Sequence, residues 1–63
     1  MAELLTLLSP EDVARLFGVP LQTVYGWRSS GKGPAGFKVG RHVRYRQEDV
    51  DRFIADQMAK EAA

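Results

Sequence analysis

Glycine and proline residues divide this chain into short segments, and this division limits what it can fold into. Breaks at Ser9-Pro10, at Gly18-Val19-Pro20 and at residues 31–36 leave only short segments before position 37. Proline does not continue a helix interior, and glycine accepts the left-handed conformation that ends helices. With 63 residues and no cysteine, we expect one small domain with a thin core and no disulfide framework.

The first segment has the signals of a short helix. Ser9 is a natural N-cap, and Asp12 stands three residues later, where a capping box has an acid. Pro10 suits the first helical position. Three apolar residues then follow at helical spacing: Val13, Leu16 and Phe17. Gly18 predicts the end of this helix at about residue 17.

A second helical pattern follows Pro20. Val24 and Trp27 lie on one face, with Leu21 at its edge. The opposite face holds Gln22, Gly26 and Ser29, with Tyr25 on the flank. We expect this helix to end by Ser30-Gly31. Two short helices joined by a tight, glycine-containing turn predict a helix-turn-helix.

The apolar period changes to two after residue 36, which predicts a β-hairpin. We expect one face to lie on the core: Phe37, Val39, Val43 and Tyr45. The other face is basic and would lie in solvent: Lys38, Arg44 and Arg46. Gly40-Arg41-His42 would connect the strands, with His42 as a solvent-facing turn residue.

From Gln47 the helical period returns, with Val50, Phe53 and Ile54 as an apolar stripe that continues to Met58. The fold class we expect is mostly α with a small β-hairpin, in the winged helix-turn-helix arrangement. One domain would span residues 1–63, with 58–63 as helix or frayed tail. The start, residues 1–8, predicts neither a signal peptide nor a membrane span.

The charges are unevenly distributed along the chain. The net charge of residues 1–24 is −2 and that of residues 47–63 is −3. Residues 25–46 contain six basic residues and no acidic residue, so their net charge is +6 and the whole chain carries +1. A solvated surface usually mixes both signs. The basic block coincides with the second helix and the hairpin, so the distribution predicts a nucleic-acid partner.

Other motifs are better explained by structure. Gly31, Gly33 and Gly36 spell G-x-G-x-x-G but follow a helix and precede a hairpin, which is the wrong context for a dinucleotide site. His42 has no companion ligands for a metal. Aromatic residues at these spacings are more often core than base platforms: Phe17, Trp27, Phe37 and Phe53. We expect no catalytic residue, cofactor, metal or small-molecule substrate.

Seven ordered segments together resemble a known family: residues 8–14, 16–19, 23–27, 31–35, 37–40, 44–46 and 48–50. They resemble the excisionase-type, MerR-like winged helix-turn-helix domain over about residues 4–56. The resemblance implies that the second helix enters the major groove and that the hairpin wing contacts the minor groove or the backbone. Family members include phage excisionases (recombination directionality factors), which bind adjacent sites head to tail, bend DNA and bias an integrase towards excision. Others are prophage regulators and small transcription factors.

Two positions depart from the family pattern. Pro20 stands where many relatives have a Ser or Asp cap. Gly26 stands where many relatives have Arg or another long polar side chain aimed at the groove. Direct readout of bases is therefore expected to be weak, with more weight on DNA shape.

The candidate DNA contacts fall into three groups. At the start of the second helix, Gln22 and Thr23 would contact base edges or phosphates. Phosphates would be held by Tyr25, Arg28 and Lys32. On the wing, the tip residues Arg41 and His42 would enter a narrow minor groove, and the neighbouring backbone would be lined by Lys38, Arg44 and Arg46.

The hypothesis that follows is a DNA-binding phage excisionase acting in the cytoplasm of a bacterial host. Its partners would be double-stranded DNA, a phage integrase and a second copy placed head to tail, with no membrane partner. One alternative is a small stand-alone transcription regulator of the same fold. An alternative of another class is a protein-interaction adaptor whose acidic C-terminal helix docks a basic partner.

Overall fold

The computed structural model describes residues 7–62, and this part of the chain forms three helices and three short strands. In chain order they are β1 (Leu7–Leu8), α1 (Pro10–Phe17), α2 (Leu21–Ser30), β2 (Gly36–Val39), β3 (His42–Arg46) and α3 (Gln47–Ala62). This mostly helical architecture with a small antiparallel sheet confirms the predicted winged helix-turn-helix. The predictions for residues 1–6 and 63 lie outside the described residues.

Local signals set the bounds of α1 as predicted. The Asp12 N–H donates to Ser9 Oγ at 3.0 Å, and the Ser9 N–H donates to Asp12 Oδ2 at 3.0 Å, which completes the capping box. Gly18 ends the helix in the left-handed conformation with φ 68°. Val13 is fully buried and Phe17 is half-buried, whereas Leu16 at the same helical spacing is 55% exposed.

Helix α2 begins after Pro20 without a side-chain cap, as its sequence predicts, and ends at Ser30. Val24 is fully buried, and Trp27 packs half-buried against the core. The Lys32 N–H donates to the Trp27 carbonyl at 2.8 Å and so closes the end of the helix.

The sheet has the strand order β1-β3-β2 and is antiparallel throughout. The two-residue strand β1 was not predicted. Leu8 pairs with Tyr45, so this strand exists because β3 lies beside it rather than through a local sequence signal. The hairpin of β2, β3 and their connecting turn is called the wing below.

The wing register differs from the prediction by one residue. Val39 pairs with His42, so the turn contains only Gly40-Arg41 and His42 is the first residue of β3. Gly40 has φ 65°, the positive value that a two-residue turn with glycine in its first central position requires. A shift of one residue moves every side chain of a strand to the other face.

The apolar residues of β2 therefore lie on the outer face of the sheet. Phe37 pairs with Arg44, and paired residues share a face. Phe37 is 38% exposed and Val39 is 50% exposed, so the prediction that they line the core is wrong. On the inner face, Tyr45 lies opposite Gly36 and is buried, and Val43 packs against the core.

The core joins all three helices to β3. Its buried members are Val13, Ala14, Val24, Tyr45 and Val50. Beside them, Phe17, Trp27 and Phe53 form an aromatic cluster with ring centroids 5.6–5.8 Å apart. Each ring comes from a different helix, so this cluster fixes how α1, α2 and α3 lie against one another.

Only the first half of α3 packs on the domain. Val50 is buried, and Phe53 and Ile54 are half-buried, as predicted. Met58 is 66% exposed, so the predicted continuation of the stripe to this residue is wrong. None of the helices within residues 7–62 combines the length and apolar character needed to cross a membrane.

Candidate nucleic-acid interface

A cleft of about 280 Å³ lies where the start of α1, the side of α2 and the wing meet. We call it the wing cleft. Its lining residues are Ser9, Pro10, Glu11, Tyr25, Arg41, His42, Val43 and Arg44. The fold therefore brings one candidate residue of α2 together with three candidates of the wing.

The side chains of the wing cleft are suited to an anion. Tyr25 is 49% exposed, and Arg41 and His42 are exposed at the wing tip. Arg44 is half-buried, and its Nη1 donates to the Val43 carbonyl at 2.7 Å, which orients the guanidinium and leaves its other N–H donors available. Such donors together match the oxygens of a phosphate.

Glu11 lines the same cleft and was not among the sequence-based candidates. Its carboxylate opposes an anion, so it weakens the attraction of the cleft for phosphate. Its position in the first turn of α1 explains it as a favourable charge at a helix N-terminus. No local sequence pattern indicated that the start of α1 lies beside the wing.

The first turn of α2 presents the candidate base readers. Gln22 is exposed, and Thr23 is half-buried, with its N–H donating to the Pro20 carbonyl at 2.9 Å. Gly26 lies one turn further on, and a Cβ added there meets no atom within 4 Å. The surface of α2 is therefore bare at its middle, where a long side chain would otherwise project.

Arg28 and Lys32 lie apart from the wing cleft, beside the loop that leads into β2. They line a separate cleft that runs from Trp27 to Gly36. Arg28 Nη1 donates to the Gly36 carbonyl at 3.3 Å, so it links α2 to the first residue of the wing. Both side chains are exposed, as is Lys38 on β2.

Arg46 is held by carboxylates of α3. Its Nε donates to Asp49 Oδ2 at 2.7 Å, and its Nη2 donates to Asp49 Oδ1 at 3.2 Å. Nη1 lies 3.3 Å from Glu48 Oε2. The hydrogen bond from Arg46 holds the pKa of the Asp49 carboxyl below its usual value. Arg46 thus differs from the other basic candidates of the wing, which form no salt bridge within residues 7–62.

A larger cleft of about 550 Å³ lies between the end of α2 and α3, beside Trp27 and Phe53. It contains only Lys32 from the candidate set, whereas the smaller wing cleft contains four. Within residues 7–62, no three His, Asp or Glu side chains are grouped so that they could hold a metal ion. The concentration of donors makes the wing cleft and the start of α2 the candidate interface.

Comparison with known proteins agrees with this geometry. The model of a family described as "Helix-turn-helix domain" matches residues 7–58, which include every element from β1 to most of α3. No curated protein and no solved structure matches the chain. Helix-turn-helix domains are DNA-binding modules and are typically non-enzymatic. Because the match covers well over half of its residues, this chain belongs to the helix-turn-helix domain family.

Proposed function

We propose that this protein binds double-stranded DNA with α2 in the major groove and the wing on the adjacent backbone or minor groove. The observation that carries the proposal is the wing cleft, where Tyr25 of α2 lies with Arg41, His42 and Arg44 of the wing. In a duplex, a sugar-phosphate backbone runs between the major and the minor groove. This backbone would fit into the wing cleft, because the cleft lies between the two DNA-contacting elements and is lined with hydrogen-bond donors.

Sequence preference would come from the start of α2. Gln22 is exposed there, and a glutamine can form a bidentate pair with adenine worth ~1–3 kcal/mol of discrimination. Thr23 adds a hydroxyl for a base edge or phosphate. Because Gly26 leaves the next turn bare, shape readout carries more of the preference, with Arg41 at the wing tip drawn to a narrow minor groove.

Five of the six basic side chains in residues 25–46 make no salt bridge within the described residues: Arg28, Lys32, Lys38, Arg41 and Arg44. If these five side chains neutralise one phosphate charge each, the slope of log K against log salt for a duplex should be about −4 to −5. Fluorescence anisotropy with a labelled duplex at several salt concentrations measures it. Arg41→Gln should reduce the slope by about one, since it removes one released counterion.

Arg15→Gln is the matched control for that measurement. It removes the same charge from α1, where Arg15 pairs with Asp12 at 3.5 Å outside the wing cleft. Its slope should equal that of the wild type. A salt response that is flat for the wild type would contradict DNA binding and favour the protein-interaction adaptor.

The finer role that we propose is that of a phage excisionase. It would bind adjacent sites cooperatively, bend the DNA and direct a phage integrase towards prophage excision. The family resemblance supports this role, and so does the separation of charge along the chain. Asp56 and Glu61 are exposed on the second half of α3, so the acidic end of one copy can meet the basic wing of the next. Opposite charges favour such a register.

An excision reaction with purified integrase tests this role. The protein should stimulate excision, bend a duplex with several sites and bind it cooperatively. Reversing the charge of Asp56 and Glu61 to Lys should reduce cooperativity, whereas Gln57→Lys on the same helix should not. Cooperativity that survives the reversal would contradict the contact between copies.

The alternative within the same fold is a small transcription regulator. Promoter footprints and altered expression without any dependence on integrase would favour it over the excisionase. Either role would be non-enzymatic, with no cofactor, and would be carried out on DNA in the cytoplasm of a bacterial host.

A further inference from the structure

The wing is joined to α3 without a connecting loop. β3 ends at Arg46, and α3 begins at Gln47. The direction of the wing relative to α3 therefore depends on the backbone at this junction and on the side chains that cross it. The contact between Arg46 and Asp49 is the shortest hydrogen bond between two side chains within residues 7–62, and it crosses this junction.

The contact has the geometry of a strong ion pair rather than of an ordinary surface pair. Two N–H groups of Arg46 donate to the two carboxylate oxygens of Asp49, at 2.7 and 3.2 Å. The Asp49 side chain is only 10% exposed, so it has little freedom to move away. Forked pairs of this kind add geometric specificity, whereas most exposed ion pairs contribute little.

The same contacts make Arg46 a poor partner for a phosphate. Its guanidinium already donates to Asp49 and lies 3.3 Å from Glu48. Arg52 Nη1 also lies 4.0 Å from Asp49 Oδ1, so two basic and two acidic side chains balance in this group. A phosphate would have to displace Asp49 from Arg46 with no excess positive charge to attract it.

Helix α3 also packs against α2, whose Tyr25 lines the wing cleft. Its Phe53 ring lies 5.6 Å from the Trp27 ring of α2. Helix α2 is thus fixed to α3 by aromatic packing, and the wing is fixed to α3 by the Arg46 fork. These two attachments, together with the Arg28 contact to Gly36 and the shared core, determine the separation between α2 and the wing.

We propose that Arg46 is a positioning residue that, through Asp49, sets the distance between α2 and the wing, and that it is not a DNA contact. This inference rests on the proposed DNA binding of the wing cleft. It makes a specific claim against simple electrostatics. Removing the negative charge of Asp49 should weaken DNA binding, because the loss of wing position outweighs the gain in net positive charge.

The test compares Asp49→Asn with Asp51→Asn, which makes the same charge change on α3. Asp51 is exposed, has no salt bridge within residues 7–62, and accepts a hydrogen bond from Gln47 Nε2 at 2.9 Å that an asparagine oxygen still accepts. Binding is measured on a duplex selected from random sequence by the wild-type protein, at a temperature where every variant is folded. Asp49→Asn should weaken binding by about three- to tenfold, as expected for one member of a coupled network. Asp51→Asn should bind at least as tightly as the wild type.

Arg46 variants separate positioning from phosphate contact. Arg46→Gln should weaken binding with an unchanged salt slope, and Arg46→Lys should not restore it, since an ammonium cannot form the fork. The double variant Arg46→Gln with Asp49→Asn should bind no more weakly than either single variant. The inference is overturned if Asp49→Asn binds more tightly than Asp51→Asn, or if Arg46→Gln lowers the salt slope by about 0.9.

A measurement without DNA separates failure of this inference from failure of the proposed function. In the NMR spectrum of the free protein, the Arg46 Nε proton should exchange slowly with solvent in the wild type and rapidly in Asp49→Asn. A fast-exchanging proton in the wild type overturns the fork itself. A wild type that binds no duplex overturns the proposed function instead.

Discussion

At the scale of single residues, two glycines show opposite demands of the fold. Gly33 has φ 76°, and a Cβ there would lie 2.8 Å from the Cβ of Trp27. The loop after α2 therefore packs directly on the tryptophan and leaves no space for a side chain. Gly26 lies inside α2, with open space where a Cβ would stand.

These two sites predict stability changes of opposite sign. Gly26→Ala should stabilise the protein by about 0.5–1 kcal/mol, because glycine is costly inside a helix. Gly33→Ala should destabilise it by more than that, since it adds both backbone strain and overlap with Trp27. Urea unfolding followed by Trp27 fluorescence measures both. Changes of the same sign at the two positions would contradict this account of the loop.

At the scale of elements, the starts of α1 and α2 differ in side-chain capping. In α1 the Ser9 hydroxyl accepts the Asp12 N–H. Ser9→Ala should lower the free energy of unfolding by about 1 kcal/mol, the usual cost of losing an N-cap. Helix α2 supplies the control, because Pro20 makes no side-chain cap there. Pro20→Ala removes no capping hydrogen bond, so it should not lower the free energy of unfolding by more than Ser9→Ala does.

The helix starts also predict how stability depends on pH. The hydrogen bond from the Ser9 backbone lowers the pKa of Asp12, and the hydrogen bond from Arg46 lowers that of Asp49. A carboxyl with a lowered folded pKa stabilises the protein above its unfolded pKa of about 3.9, and this stability is lost as the pH falls through the lower folded value. The melting temperature should therefore fall as the pH drops below about 4.

Asp12→Asn and Asp49→Asn should each flatten this acid dependence. The measurement is the difference in melting temperature between neutral and acid pH for each variant. Asp56→Asn on the exposed half of α3 is the control for the loss of one carboxylate. If Asp12→Asn and Asp49→Asn lost as much stability in acid as the wild type, the helix starts would not be the source.

Element bounds are also where the sequence was most informative. Ser9, Asp12 and Gly18 act on atoms within a few residues of themselves, so they predicted α1 correctly. The same holds for the end of α2 at Ser30 and for the start of α3 at Gln47. β1 was missed because its two residues carry no such signal and pair only with the distant β3.

At the scale of the whole molecule, a thin core couples stability to binding. Few side chains are fully buried, and the aromatic cluster that joins the helices remains half-exposed. A domain of this size is only marginally stable. Anything that binds the folded state alone should therefore raise its melting temperature measurably.

A duplex at a concentration 100 times its dissociation constant should stabilise the fold by about 2.7 kcal/mol. Melting followed by helical circular dichroism, with and without duplex, measures this shift. The shift should disappear at high salt, because the affinity comes mainly from phosphate contacts. Gln22→Ala should reduce the shift on a selected duplex and leave it unchanged on a random one. Equal effects on both duplexes would contradict base reading by Gln22.

The sequence by itself determined the helices, their order and the basic block from residue 25 to residue 46, because capping, helical spacing and charge are local properties. Only the tertiary structure decided which face each wing residue occupies and which basic side chains are available to contact DNA. A turn one residue shorter than predicted placed Phe37 and Val39 outside the core. Because α3 follows β3 without a loop, Arg46 forms an ion pair with Asp49. Register and ion pairing depend on residues brought together by the fold, and no pattern within a single strand contains that information.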